Sequence, residues 1–375
     1  MTTKCPRPFP VLAPPTAARL SAVLTALFAG SILIAPSFAQ DKPNTPPPAE
    51  QQTPPPSSQK PIKIVTTNVI VPVTVKDKTG NLVADLKKDE FRIFEDGVEQ
   101  INIISLSTEP VPLSMVVLID NDLKQKDADQ VEPSLRAIVG GLSVNDEASI
   151  CRFDQFFHEG AGFTKDQEKL VTQLRRTKLD ARTSAPPPGD PFSGGPTING
   201  QPAPGANPLN YPSTRAIQAQ ANKALDDAVW SGAQLLKDRS SEKRRKIILI
   251  ISDGQNGKKF NTHSYNETRA ELLRQGIAVY SVATGSSYFE RKLNRLEEYA
   301  HDTGGDVYFG AKSSTFENFY SIIAEEARNQ YTLVYSPQGD RKIDYHTIEV
   351  RIRREGLTIL TRRGYYGGTF ASSAN

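Results

Sequence analysis

Apolar residues recur along this chain at two periods. From Val69 to Val75 every second residue is valine, with Ile70, Pro72 and Thr74 between them, the period of a half-buried strand. Proline cannot donate to a ladder, so Pro72 predicts an edge strand. "KDKTGN" is a turn, and "FRIFEDGVEQINIISL" reads as two strands around Asp96-Gly97, a pair that tolerates the positive φ of a tight hairpin.

The rhythm changes after Pro112. "PLSMVVLID" and "RKIILIISDG" are strongly apolar strands, as burial on both faces requires. Between and after them come helical patterns over Asp129–Val139, Asp166–Arg176 and Thr214–Lys237, and in "NETRAELLRQG", "YFERKLNRLEEYAHDTG" and "TFENFYSIIAEEARNQ". "EASICRFD", "FHEGAGFT", "IAVYSVATG" and "GDVYFG" read as further strands. Strands alternating with helices predict βαβ units and a mainly parallel sheet.

From Gln330 the pattern returns to β, in "QYTLVYSP", "YHTIEVRIRR" and "LTILTRRGYYG". Ile348, Val350 and Ile352 share one face. Thr347, Glu349, Arg351 and Arg353 share the other, a solvated one. So few strands are unstable alone, so the N- and C-terminal β segments are expected to pair in one β-sandwich. The expected organisation is a β segment over 62–109, an α/β domain over 110–330 and a closing β segment over 331–368.

Composition alters this picture at the N-terminus. Lys4, Arg7 and Arg19 precede a 16-residue apolar run, Leu20 to Ala35, which is short for a membrane span. Pro36 then breaks it, and Ser37-Phe38-Ala39 supplies small residues for cleavage. Residues 1–39 are therefore expected to be a secretory signal, the alternative being a retained anchor, and no stable span is expected after cleavage. Three of the 45 basic residues lie in that segment, leaving 42 against 42 acidic, so nothing global suggests nucleic acid. The expected setting is exported, periplasmic or secreted at the cell envelope. Of the two cysteines, Cys5 would leave with the signal, so Cys151 cannot form an internal disulfide. Residues 40–61, rich in Pro, Gln and Ser, read as a disordered tether. A second interruption, 180–213, holds nine Pro and five Gly in 34 residues and is either functional or disordered.

Candidate chemistry sits at two strand ends. In open parallel sheets, ligands bind beyond the carboxyl ends of strands where the chain order reverses. Asp120 and Asp122 close one apolar strand and Asp253 closes the other, so three carboxylates converge if these strands are neighbours. Elsewhere little carries chemistry. His158, His263, His301 and His346 have no metal-ligand spacing. No Gly-rich phosphate loop follows the first strand, "TGGD" at Thr303 reads as a helix stop, and Cys151 reads as a buried strand residue.

The succession "VPLSMVVLID", "NKALDDAV", "RRKIILIISDGQN", "IAVYSVATG" and "AHDTGGDVYF" resembles a von Willebrand factor A (VWA) domain. With the leading "VPVTVKDKTGNLVADLKKDEFRIFEDG" and the closing "QYTLVYSP" and "RRGYYG", the chain looks more narrowly like the VWFA-related domain family described from Acidobacteria. The resemblance runs from about residue 64 to 367. It implies a Rossmann-like, six-stranded, mainly parallel sheet flanked by helices, and adhesion or assembly through a protein partner.

The resemblance also implies a metal-ion-dependent adhesion site, and here the chain departs from the pattern. The first motif, Asp-x-Ser-x-Ser, reads Asp120-Asn121-Asp122-Leu123-Lys124. The threonine expected before the following helix aligns with Lys223, with Thr214 as the alternative. The last aspartate is matched by Asp253. Mg²⁺ takes about six oxygen ligands, whereas an ammonium offers three donors and no lone pair. At ~4 Å and an effective dielectric near 20, each unit charge pair is worth roughly 4 kcal/mol. Lys124 and Lys223 are therefore expected to form a salt-bridge cluster with Asp120, Asp122 and Asp253 in a vacated metal seat. Residual Mg²⁺ binding and solvent-facing lysines are the alternatives.

These readings favour an exported, non-enzymatic interaction or adhesion module with a degenerate metal site and no cofactor. The alternatives are a metal-dependent adhesion protein, a structural envelope component with a vestigial site, and a metal-dependent hydrolase. The last lacks a nucleophile, a general base or a phosphate clamp.

Overall fold

The computed structural model describes residues 68–179, 197–198, 201–202, 223–239, 243–285, 295–310, 312–338 and 344–367. The expected signal, the tether, the start of the long helix at Thr214 and nearly all of the 180–213 interruption lie outside the described residues.

In chain order the strands are β1 (Val69–Lys76), β2 (Phe91–Glu95), β3 (Val98–Gln100), β4 (Ile103–Ser107), β5 (Leu113–Asp120), β6 (Glu147–Phe153), β7 (Phe157–His158), β8 (Thr197–Ile198), β9 (Gln201–Pro202), β10 (Arg245–Ser252), β11 (Ala278–Ala283), β12 (Val307–Phe309), β13 (Tyr331–Tyr335), β14 (Tyr345–Ile352), β15 (Thr358–Thr361) and β16 (Gly364–Tyr366). The helices are α1 (Gln125–Ser134), α2 (Ala137–Gly141), α3 (Gln167–Arg176), α4 (Leu225–Lys237), α5 (Tyr265–Gln275), α6 (Arg295–Thr303) and α7 (Ser313–Arg328).

The central sheet has six strands in the order β12-β11-β10-β5-β6-β7, all parallel except β7. All eight residues of β5 are buried. Alternation along β5 and β10 supplies two cores at once. Leu113, Met115, Val117, Ile119, Ile247, Leu249 and Ile251 pack towards α1, α2, α3 and α7. Val116, Leu118, Ile248 and Ile250 pack towards α4, α5 and α6. Burial of each such side chain stabilises by roughly 1.5–3 kcal/mol. This two-sided demand is why the middle of each strand, Met115–Ile119 and Ile247–Ile251, is apolar without interruption.

Helix boundaries follow local chemistry. Ser264 and Glu267 form a capping box at the start of α5, and Gly276, left-handed at φ 65°, ends it. The helix expected over Asp129–Val139 begins earlier, at Gln125, and breaks after Ser134 into α1 and α2. Pro133 lies in that last turn and removes one backbone donor.

Two four-stranded sheets, β15-β1-β13-β4 and β16-β14-β2-β3, stack over a shared core that includes Val71, Val73, Ile93, Leu333, Tyr335, Val350 and Tyr365. Each sheet mixes strands from both ends of the chain. β1, however, is not an edge strand: it pairs with β13 on one side and β15 on the other. The ladder to β15 spans only Val73 to Lys76. Pro72 sits just past its end, where the Thr361 hydroxyl donates to the Pro72 carbonyl at 2.8 Å. The missing N–H is therefore not required there.

Candidate functional site

β5 and β10 are neighbours, and chain order runs outward from them in both directions, so the switch point lies between their carboxyl ends. Asp120 ends β5, and Asp253 follows Ser252 at the end of β10. Lys223, in the segment before α4, completes the site. Its Nζ lies 2.6 Å from Asp120 Oδ2 and 2.6 Å from Asp253 Oδ1. Lys223 and Asp120 are fully buried, and Asp253 is 4 % exposed.

Backbone bonds hold the lysine in place. Gly257 N–H donates to the Lys223 carbonyl at 2.9 Å, and Ala224 N–H donates to the Asp154 carbonyl at 2.8 Å. Asn256 accepts from Leu225 N–H and donates to Asp226, which also takes the Tyr299 hydroxyl. The carboxylates are oriented as well. Ser252 Oγ donates to Asp120 Oδ2 at 2.6 Å, Asp122 N–H to Asp120 Oδ1 at 2.9 Å, and Gln255 N–H to Asp253 Oδ1 at 3.1 Å.

Burial alone lowers a lysine pKa, but the charges and hydrogen bonds of Asp120 and Asp253 outweigh it and hold Lys223 above its ordinary value. At Asp120, burial and the Asp253 charge push the carboxyl up against the pull of Lys223 and Ser252. With all three ionised, two carboxylates and one ammonium leave a single negative charge.

Of the five residues singled out in the sequence, three meet here. Lys124 does not: it is exposed at the N-cap of α1, where its carbonyl accepts from Ala128 N–H. The strand-end turn points this side chain outward and leaves the buried seat to Lys223. Asp122 is half-buried and enters through its backbone N–H. Two residues were not singled out. Ser252 supplies a hydroxyl from β10. Asp127, on the first turn of α1, is buried, and burial followed by the Asp253 charge pushes its carboxyl up. A Cβ at Gly285 would lie 2.3 Å from Asp127 Oδ2. Asp127 carried no local signal because an acid in a first helical turn is ordinary.

The residues so placed do not fit Mg²⁺. The point shared by the two carboxylate oxygens holds an ammonium, which has no lone pair to give and repels a cation.

No protein-family model matches the chain, and no curated protein matches it. Solved structures do. The conserved hypothetical protein BatB from Bacteroides thetaiotaomicron is 13% identical, with 57% of this chain and 98% of that chain covered and a TM-score of 0.39. The von Willebrand factor type A protein from Catenulispora acidiphila is 7% identical, with 76% of each chain covered and a TM-score of 0.40. The SpRpn10 VWA domain is 10% identical, with 56% of this chain and 94% of that chain covered and a TM-score of 0.34. The fold itself follows from the strand order and its two helical layers: a VWA-like, Rossmann-like α/β domain carrying a two-sheet β extension.

Proposed function

We propose that this chain is an exported, non-enzymatic protein-interaction module of the VWFA-related kind, in which a lysine replaces the divalent cation of the adhesion site. The observation that carries this reading is Lys223 Nζ, 2.6 Å from each of Asp120 and Asp253. A cation-bearing site leaves a coordination position open to a partner's carboxylate. Here the charge is internal and buried, so the seat organises the surrounding loops instead of coordinating the partner.

The loops that leave β5 and β10 carry exposed lysines. Lys124 and Lys126 at the start of α1, and Lys259 after β10, are all exposed. Such a rim attracts a partner with an acidic patch and speeds its encounter at low ionic strength. Among the described residues no helix is long and apolar enough to cross a membrane.

Two measurements test this. Thermal unfolding of the metal-stripped native chain gives coincident curves with and without millimolar Mg²⁺, and Lys223→Thr introduces a Mg²⁺-dependent rise in Tm. A clear Mg²⁺ stabilisation of the native chain sinks the reading in favour of a cation-dependent adhesion site. Affinity capture from the native envelope fraction then yields partners retained in chelator and lost with Lys126→Glu/Lys259→Glu. Partners indifferent to that double change sink the assigned face.

A further inference from the structure

We infer that Glu95, Asp96 and His346 form a transition-metal site, suited to Zn²⁺, that staples the two ends of the chain together within the β-sandwich. Glu95 ends β2, Asp96 opens the turn to β3, and His346 lies on β14, 250 residues after Asp96. One ligand atom from each comes within 4.8 Å of the other two. His346 Nδ1 is 2.8 Å from Asp96 Oδ2 and 3.7 Å from Glu95 Oε1.

The ligands are oriented from behind. The Tyr335 hydroxyl donates to Glu95 Oε2 at 2.5 Å and the Tyr365 hydroxyl donates to Oε1 at 3.0 Å. Thr347 N–H and its hydroxyl donate to Asp96 Oδ1 at 2.8 and 3.1 Å. This is the arrangement that fixes metal-binding carboxylates. A simple His–Asp hydrogen bond needs neither a second carboxylate facing the same nitrogen nor two tyrosines to hold it.

Bond lengths of ~2.0–2.1 Å around tetrahedral zinc separate neighbouring ligand atoms by about 3.3 Å. The observed 2.8 and 3.7 Å from His346 bracket that value, and the two carboxylates lie within 4.8 Å of each other. One imidazole and two carboxylates suit zinc and neighbouring first-row ions better than Mg²⁺ or Ca²⁺. Two carboxylates and a neutral imidazole balance a divalent charge, and water takes the fourth position. Glu95 is buried and Asp96 exposed, which gives the ion a closed floor and an entry path. This metal would join the end of β2 to β14, as a long-range cross-link does.

The test uses the untagged, metal-stripped full chain, titrated with Zn²⁺ and with Mg²⁺ by calorimetry and followed by thermal unfolding. The expected result is about one Zn²⁺ per chain with a raised Tm and much weaker Mg²⁺ uptake. Asp96→Asn and His346→Gln should each weaken Zn²⁺ binding by at least about tenfold. Absent stoichiometric Zn²⁺ uptake, or uptake by Asp96→Asn equal to that of the native chain, overturns the inference. Asp96 is exposed, so that variant decides the matter even if His346→Gln fails to fold.

Discussion

Lys76, on the first strand of the sandwich, places its Nζ 2.5 Å from Glu326 Oε1 on the last helix of the α/β domain. Asp306 Oδ2 is 2.7 Å from the same nitrogen, and the Tyr308 hydroxyl bonds both Lys76 and Glu326. Glu326 is only 2 % exposed, and burial raises its carboxyl against the pull of Lys76 and Tyr308. The β extension is thus tied to the domain by a buried charge pair. Lys76→Met leaves Glu326 uncompensated and should cost about 3–5 kcal/mol in urea unfolding at neutral pH. A carboxyl raised in the folded state contributes stability below its unfolded pKa and loses it as pH rises. The deficit of the variant should therefore shrink as pH is lowered from 7 towards 5.

The same reasoning applies to the strand-end seat with a different readout. Lys223→Met keeps the volume and deletes the charge, leaving Asp120 and Asp253 facing each other in the interior. A loss of roughly 3–5 kcal/mol is expected near neutral pH, recovering as acid protonates the pair. In the native chain the raised Lys223 pKa contributes stability that disappears only above the ordinary lysine range, about 10.5. Native stability should therefore be flat through neutral and mildly alkaline pH. A native chain that weakens between pH 7 and 9 with the slope of one lysine would show that the ammonium is not held.

Asp146 predicts behaviour in acid. Leu113 N–H, Ser143 N–H and the Arg328 guanidinium all donate to its buried carboxylate, at 2.8, 2.7 and 2.5 Å. Burial works to raise this carboxyl, but the three donors prevail and hold it below the ordinary value of 3.8. Its stabilisation is present above that value and is lost as pH falls through the lower, folded one. Asp146→Ala should cost about 3–5 kcal/mol at pH 7, by chemical denaturation, and less below pH 3.

Two glycines separate backbone strain from crowding. Gly276 and Gly285 have φ of 65° and 63°, but a Cβ meets nothing within 4 Å at Gly276 and Asp127 Oδ2 at 2.3 Å at Gly285. Gly276→Ala should lose about 1 kcal/mol, the left-handed penalty alone. Gly285→Ala should lose a further 1–3 kcal/mol for overpacking, measured as a difference in Tm. Equal losses would mean that the Asp127 carboxylate swings away freely.

The double-sided burial of β5 and β10 was legible because Met115–Ile119 and Ile247–Ile251 are apolar on both faces, with no polar alternation for solvent. Their adjacency was only a condition in the sequence, and the pairing of β10 with β5 brings Asp120 to Asp253. The sequence did not distinguish Lys124 from Lys223 as the occupant of the seat. Both stand where the resemblance expects a hydroxyl, and only the exit direction of the chain after β5 turns Lys124 outward. Pro72 misled for a related reason. Its missing donor excludes a ladder bond at one residue, and β15 stops one residue short of needing it.

Local periodicity, then, determined the kinds of element, their faces and the acid-tipped strand ends, because those depend on neighbours within one turn or one pleat. Packing alone decided which side chains separated by 103 residues at Lys223 and Asp120, or 250 at His346 and Asp96, come within bonding reach. A charged side chain carries no mark of its partner in its own surroundings. Burial selects that partner, since a charge removed from water must lie against an opposite one wherever the chain brings it.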